Sequence, residues 1–250
     1  MKILLVNDDG IEAPGIKALI DTLSREHELF VIAPNGQRSG FSQSINYMRS
    51  ICVEKRELQG HESIAAYAVD GTPADCVKIA QLSLCPDADL VISGINEGEN
   101  MGRDICYSGT FGAALEAAVY GKRAIALSCD VEAGPPNYEF AAEFILDFVK
   151  NFDMARVPFG TVININIPLI VDGKAKGVMI TRQAGLHYQE QYLITQDDGK
   201  TMYQLYGDDI EEAEEGTDIW AVMNGYISIS PLKYDRTDED GLIILEGLQK

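Results

Sequence analysis

The chain has 250 residues, 46% of them hydrophobic, enough to bury about 70–75% of its unfolded surface in one large α/β domain. Thirty-nine acidic against 20 basic residues leave a formal net charge of -19, which argues against charge-driven binding to nucleic acid or to an anionic membrane. The start MKILLVNDDG lacks a basic segment ahead of a long apolar core, no apolar run approaches the roughly 18 residues of a membrane span, and five scattered cysteines (Cys52, Cys76, Cys85, Cys106, Cys129) show no CxxC pairing. A cytoplasmic protein with free thiols is expected.

Ile3 to Val6 form a short continuous apolar run, suited to a central strand covered on both faces. It ends in Asp8, Asp9 and Gly10. At the carboxyl end of such a strand these acids would sit in the crevice where open α/β sheets bind ligands, with Gly10 letting the chain turn away. Ile16, Leu19, Ile20 and Leu23 then recur at helical spacing, and LFVIAP is a second buried strand. Residues 44–58 mix β-formers with charge and predict an edge strand or hairpin. IAAYAVDGTPADCVKIAQLSL predicts strand, turn and helix, with Pro73 in the first turn of the helix.

ADLVISGINEG repeats the opening arrangement, a strand from Leu90 to Ile92 running into polar residues and glycine. GTFGAALEAAVYG predicts an alanine-rich helix, RAIALS another buried strand, and YEFAAEFILDFVKNF an amphipathic helix. This alternation indicates a doubly wound, mostly parallel, Rossmann-like sheet with a core over about 1–170. Beyond VININIP the pattern changes: KGVMITRQ, HYQEQYLIT and TMYQLYG, with DDGK between the last two, predict a β-rich hairpin extension over about 176–215. DDIEEAEEG suits a solvated loop, and SISP suits a strand rejoining the core within 216–250, ahead of a terminal helix. No internal repeat and no long linker divides the chain.

Two carboxylates side by side repel unless a cation or a shared proton compensates. A hard divalent cation accepts two carboxylates plus neutral oxygens from other loops; the alternative is that one Asp caps the next helix and the other is solvated. Ser39 and Gly40, after LFVIAP, offer a hydroxyl and a close-approach backbone, and Asn96 falls just past the end of LVISG. Ser108, Gly109 and Thr110 open a strong helix, which suits a phosphate or, alternatively, a plain N-cap. His27 and His61 lie in polar stretches, and His187 leads into the hairpin region.

Taken together, NDDG, the loop from Ser39 to Ser44, GTPADCVK at 71–78, SGINEGENMGRD at 93–104, YSGTFGAALEA at 107–117 and GTDIWAVMNGYISISPL resemble the SurE family, survival protein E, in order and over nearly the whole chain. Members of that family are phosphatases of nucleoside 5′- and 3′-monophosphates. The resemblance implies one Mg²⁺ or Mn²⁺ per subunit held by Asp8, Asp9, Ser39 and Asn96, with Asp8 and Asp9 also catalytic. It implies phosphate contacts from Ser108, Gly109 and Thr110, and from Gly40 and Asn100. It further implies a nucleoside monophosphate substrate, no stable nucleic-acid or membrane partner, and a homodimer or homotetramer built partly through the extension. Two departures stand out: Ser42-Gln43-Ser44 replaces an expected SHS, which weakens any role for that loop as proton donor, and a glycine precedes Arg103. An aspartyl-phosphate phosphatase needs a second acid two positions after the nucleophile, where Gly10 stands, and a phosphoacceptor module needs an Asp where LVISG ends in Ser93 and Gly94. A nucleotide-binding regulator without turnover fits the same motifs.

Overall fold

Apolar runs without alternation bury both faces of a strand, and here they form the middle of a nine-stranded sheet. The structure is a computed structural model that describes residues 1–131, 136–170, 172–185, 188–209 and 212–248. In chain order its elements are β1 (Lys2–Val6), α1 (Pro14–Leu23), β2 (Glu28–Pro34), β3 (Val53–Arg56), β4 (Ala65–Val69), α2 (Pro73–Ile79), β5 (Leu90–Glu97), α3 (Gly109–Val119), β6 (Arg123–Cys129), α4 (Tyr138–Asn151), β7 (Thr161–Ile167), β8 (Val178–Ile180), β9 (Tyr188–Asp197), β10 (Lys200–Asp209), α5 (Asp218–Met223), β11 (Ile227–Lys233) and α6 (Glu239–Leu245).

The sheet order is β3-β4-β2-β1-β5-β6-β7-β11-β8, and the six strands from β4 to β7 run parallel. Successive residues of a strand face opposite sides. Ile3 and Leu5 therefore join one apolar cluster with Ile16 and Leu19 of α1 and Ala142 and Ile145 of α4. Leu4 and Val6 join another with Cys76 and Val77 of α2 and Phe111 and Ala114 of α3. Helices cover both faces, as a doubly wound sheet requires. From β1 the chain winds one way to β2 and β4, and β5 then returns to the other side of β1. The strand order thus reverses between β1 and β5, and a crevice opens at their carboxyl ends.

β3 is the edge strand expected within 44–58, antiparallel to β4. Strands β9 and β10 form the expected hairpin about Asp198 and Gly199, whose φ values of 50° and 74° are those of a two-residue primed turn. KGVMITRQ departs from expectation: β8 pairs parallel with β11, which itself runs antiparallel to β7. Without β8 the outer edge of β11 would be left unpaired, and this three-residue strand covers its first part, from Ile227 to Ile229.

The hairpin segment leaves and rejoins the sheet at one clamp. Arg182 N donates to Gly216 O at 3.1 Å, Asp218 N donates to Arg182 O at 3.0 Å, and the buried Asp218 carboxylate accepts from Ala184 N at 2.8 Å and Gly102 N at 2.9 Å. His187 and residues 210–211 of the acidic run lie outside the described residues. All five cysteines are free thiols. Among the described residues no helix is long and apolar enough to cross a membrane.

Candidate active site

The turn after β1 is built by Asn7. Its buried side chain donates from Nδ2 to Gly10 O (2.9 Å) and accepts at Oδ1 from Gly10 N (3.1 Å). Gly10 sits at φ +104°, and a Cβ there would lie 3.1 Å from Gly36 Cα, so glycine is required twice over. The turn takes Asp8 and Asp9 out of strand alternation. Neither caps α1, whose N-cap is Ala13 with no side-chain bond, so the capping alternative falls away.

Asp8 is buried against the start of α3. The Thr110 hydroxyl donates to its Oδ1, and the backbone N–H groups of Gly109 and Thr110 face it. Burial pushes the Asp8 carboxyl up, outweighing the hydroxyl and backbone donors that pull it down. Asp9 is half-buried, and its Oδ2 accepts from Glu97 N at 3.3 Å. Burial first, and the Asp8 charge second, raise its pKa to about 6.

The sequence places Asn96 just past a strand end; the structure holds it inside β5, beyond an irregularity between Ser93 and Asn96 that shifts the register against β6. Such a bulge re-aims a side chain. Asn96 Nδ2 donates to Gly98 O (2.7 Å), which turns Oδ1 to within 3.3 Å of the Thr110 hydroxyl that also serves Asp8. Ser39 and Gly40 follow β2, with Gly40 at φ +76° and the Ser39 hydroxyl accepting from Gln37 Nε2 at 3.2 Å.

Asp8, Ser39, Gly40, Asn96, Asn100 and Ser108 all line one cavity of about 820 Å³, with Tyr107, Glu97, Glu99 and Asp104 beside them and Glu190, Tyr192 and Leu205 of the hairpin on its far wall. Among the described residues lining it there is neither lysine nor arginine. Two arginines adjoin lining residues in sequence: Arg38 turns its guanidinium to Asn35 Oδ1 (3.1 Å) and Gly71 O (3.3 Å), and Arg103 is paired with Glu190 Oε2 (2.6 Å).

Of the trio expected on phosphate, Ser108 lines the cavity but also caps α3, its Oγ accepting from Phe111 N at 3.0 Å. Gly109 and Thr110 stand beside Asp8 at the start of α3, with the Thr110 hydroxyl donating to Asp8 Oδ1. Asn100 is locked in place. Its N–H donates to Asn166 Oδ1 (2.8 Å), its Nδ2 to Ser128 Oγ (2.8 Å), and its carbonyl accepts from Asn164 Nδ2 (2.9 Å) and Asn166 Nδ2 (3.1 Å). Gln43 Nε2 donates to Glu116 Oε2 on α3 at 2.8 Å, so position 43 faces α3 and not the cavity.

Asn7, Ser128, Asn164 and Asn166 are missed by sequence reasoning. The signal for the last two is present in VININI, where two asparagines interrupt an otherwise apolar strand at alternate positions.

A cation fits this donor set. Two carboxylates raised by burial, Asp9 also by the Asp8 charge, together with a hydroxyl and an amide oxygen are hard ligands suited to Mg²⁺ or Mn²⁺. Among the described residues no group of three His, Cys, Asp or Glu forms a softer alternative. The packing behind Asp8 is tight: a Cβ on Gly109 would lie 2.8 Å from Asp8 Oδ2 and 2.9 Å from Asp8 Cβ. Gly109→Ala is therefore expected to displace the carboxylate and lower kcat/KM about 10²-fold, the scale of an ångström's misplacement. Near-native far-UV circular dichroism would accompany the loss.

Comparison with known proteins agrees with the geometry. A family model described as survival protein SurE matches residues 3–190. The 5′-nucleotidase SurE of Fervidobacterium nodosum is 41% identical, over 99% of this chain and 97% of its own. That of Syntrophomonas wolfei is 42% identical, over 95% of this chain and 90% of its own. A crystal structure of the SurE protein from Aquifex aeolicus superposes with a TM-score of 0.87 at 36% identity and covers 100% of both chains.

Proposed function

The chain belongs to the SurE family, whose relatives are 5′-nucleotidases, and from that premise we propose that it is a phosphoric monoester hydrolase that needs a divalent cation and releases phosphate from both 5′- and 3′-nucleoside monophosphates. The observation that carries this reading is a cavity with acids and neutral oxygens at the ends of β1, β2 and β5 and no lysine or arginine among its described lining residues. A phosphate dianion entering it would be repelled without a bound positive ion.

Asp8, Asp9, Ser39 and Asn96 would hold that ion. When bound, a divalent cation supplies charge neutralisation at the phosphoryl oxygens and at the attacking water. The chain supplies the rest. Asp8 is engaged by Thr110 and the start of α3, which fixes its direction and leaves Asp9 as the freer carboxylate. Asp9 takes the proton of the attacking water as its oxygen bonds to phosphorus and the bond from phosphorus to the nucleoside oxygen breaks. Gly40, Asn100 and Ser108 border the same space and steer the phosphate for in-line displacement. Homodimers or homotetramers are proposed to form through the hairpin, where Leu193, Met202 and Tyr206 leave apolar surface exposed.

Phosphate release from 5′- and 3′-monophosphates with Mg²⁺, with Mn²⁺ and with EDTA tests this. Turnover of both series with metal and none in EDTA is expected. Release that persists in EDTA would remove the cation from the reading, and stoichiometric nucleotide binding without release would leave a regulatory module.

A further inference from the structure

We propose that the hairpin face carrying Tyr192 is the nucleobase wall of the cavity, with Tyr192 stacking on the base while the strand ends hold the phosphate. The inference rests on the phosphatase reading and assigns the half of the cavity that reading leaves unused.

A volume of about 820 Å³ is far more than a phosphate group fills and lies in the range of pockets for whole small ligands. Tyr192 pairs directly with Leu205 across the ribbon, so the two side chains share a face; Glu190, two residues away, shares it too. All three line the cavity. Tyr192 and Leu205 remain 59% and 54% exposed, so the face they share offers apolar surface that a flat ligand in the cavity can cover. The Tyr192 ring is braced by Tyr203 in a T-shaped pair, with centroids 6.0 Å apart at 84°.

The wall is also fixed relative to the strand ends. Arg103 Nη2 pairs with Glu190 Oε2 at 2.6 Å, and Arg103 N donates to Gly185 O at 2.9 Å. Arg103 lies on the loop that follows Asn96 and Asn100, so the hairpin is tied to the segment that borders the phosphate end. Every base has a π-face, so a stacking wall accepts purines and pyrimidines alike and rejects sugar phosphates that lack a base.

The test compares kcat/KM for adenosine 5′-monophosphate with that for ribose 5-phosphate, in the native chain, Tyr192→Ala and Tyr192→Phe. The nucleotide-to-sugar ratio is expected to fall about tenfold in Tyr192→Ala, the scale of one base–aromatic stack, and to be kept in Tyr192→Phe. Inhibition by adenosine should weaken in step with the ratio, whereas inhibition by inorganic phosphate should not. A ratio unchanged in Tyr192→Ala, with both substrates still hydrolysed, would overturn the wall and leave the phosphatase reading intact. An equal loss on both substrates would also overturn it, as damage without selectivity. A native chain that hydrolyses neither would overturn both.

Discussion

Asp8→Asn is expected to lower kcat/KM for phosphate release at least about 10³-fold, equivalent to about 4 kcal/mol of barrier, because it removes half the ligand charge at the site. The amide would also set an NH₂ group against the Thr110 hydroxyl or the N–H groups of α3, where the present carboxylate only accepts. Asp9→Asn should be nearly as damaging to turnover, yet its effect on the metal-free fold has the opposite sign. The Asp9 carboxyl titrates near 6, above its ordinary 3.8, so the fold favours its neutral form. Stability from that preference is present at low pH and is lost as pH rises through about 6. In EDTA at pH 7.5, Asp9→Asn should therefore melt above the native chain. Acidification to pH 5 should narrow the gap, since protonation then relieves the native chain of the same charge. Added Mg²⁺ should raise the native melting temperature and leave that of the variant unchanged. Thermal melts of both chains at the two pH values check the sign, and a native chain that melts higher in EDTA at pH 7.5 would contradict it.

Gly15→Ala is expected to be strongly destabilising for so small a change. In an ordinary helix the exchange gains up to about 1 kcal/mol. Here a Cβ would stand 2.0 Å from the carbonyl oxygen of Ile95 and 2.9 Å from its carbon, backbone atoms that have no rotamer to escape into. Helix α1 must retreat from β5 and open the core between them, at a cost of about 3 kcal/mol. At this chain length each kcal/mol moves Tm by about 2–4 °C, so a fall of roughly 10 °C is expected. Ile95 adjoins Asn96, so activity at low temperature should fall too. Gly36→Ala, whose new methyl meets nothing within 4 Å, is the control for melting temperature.

Periodicity made much of this fold legible. Ile16, Leu19, Ile20 and Leu23 are buried as their spacing predicts, and Pro73 opens α2 behind a Thr72–Asp75 capping box. Residues after strand ends were legible as site candidates for the same reason: once the sheet is read as doubly wound, its crevice must lie at those ends. What stayed hidden depends on partners far apart in the chain. Asn100 and Asn166 are 66 residues apart, and their bond exists only because β7 comes to lie beside β6. The Thr110 hydroxyl points to Asp8, 102 residues away, for a similar reason. The bulge that swings Asn96 inward leaves only glycine as a local mark, and β8 is too short for any pattern to tell a sheet edge from a hairpin.

The bonded clamp between Arg182, Gly216 and Asp218 bears on how such a chain diversifies. A segment that departs and returns at a fixed base can be lengthened, trimmed or exchanged with little disturbance to the sheet, since each doubling of a loop costs only about 0.6 kcal/mol in closure entropy. Substitutions confined to its outward face leave the hydrogen bonds of that base intact. Lineages that share the hydrolytic end are thereby free to drift in the molecules they accept, and a laboratory graft of the segment between two relatives would exchange preference as a cassette.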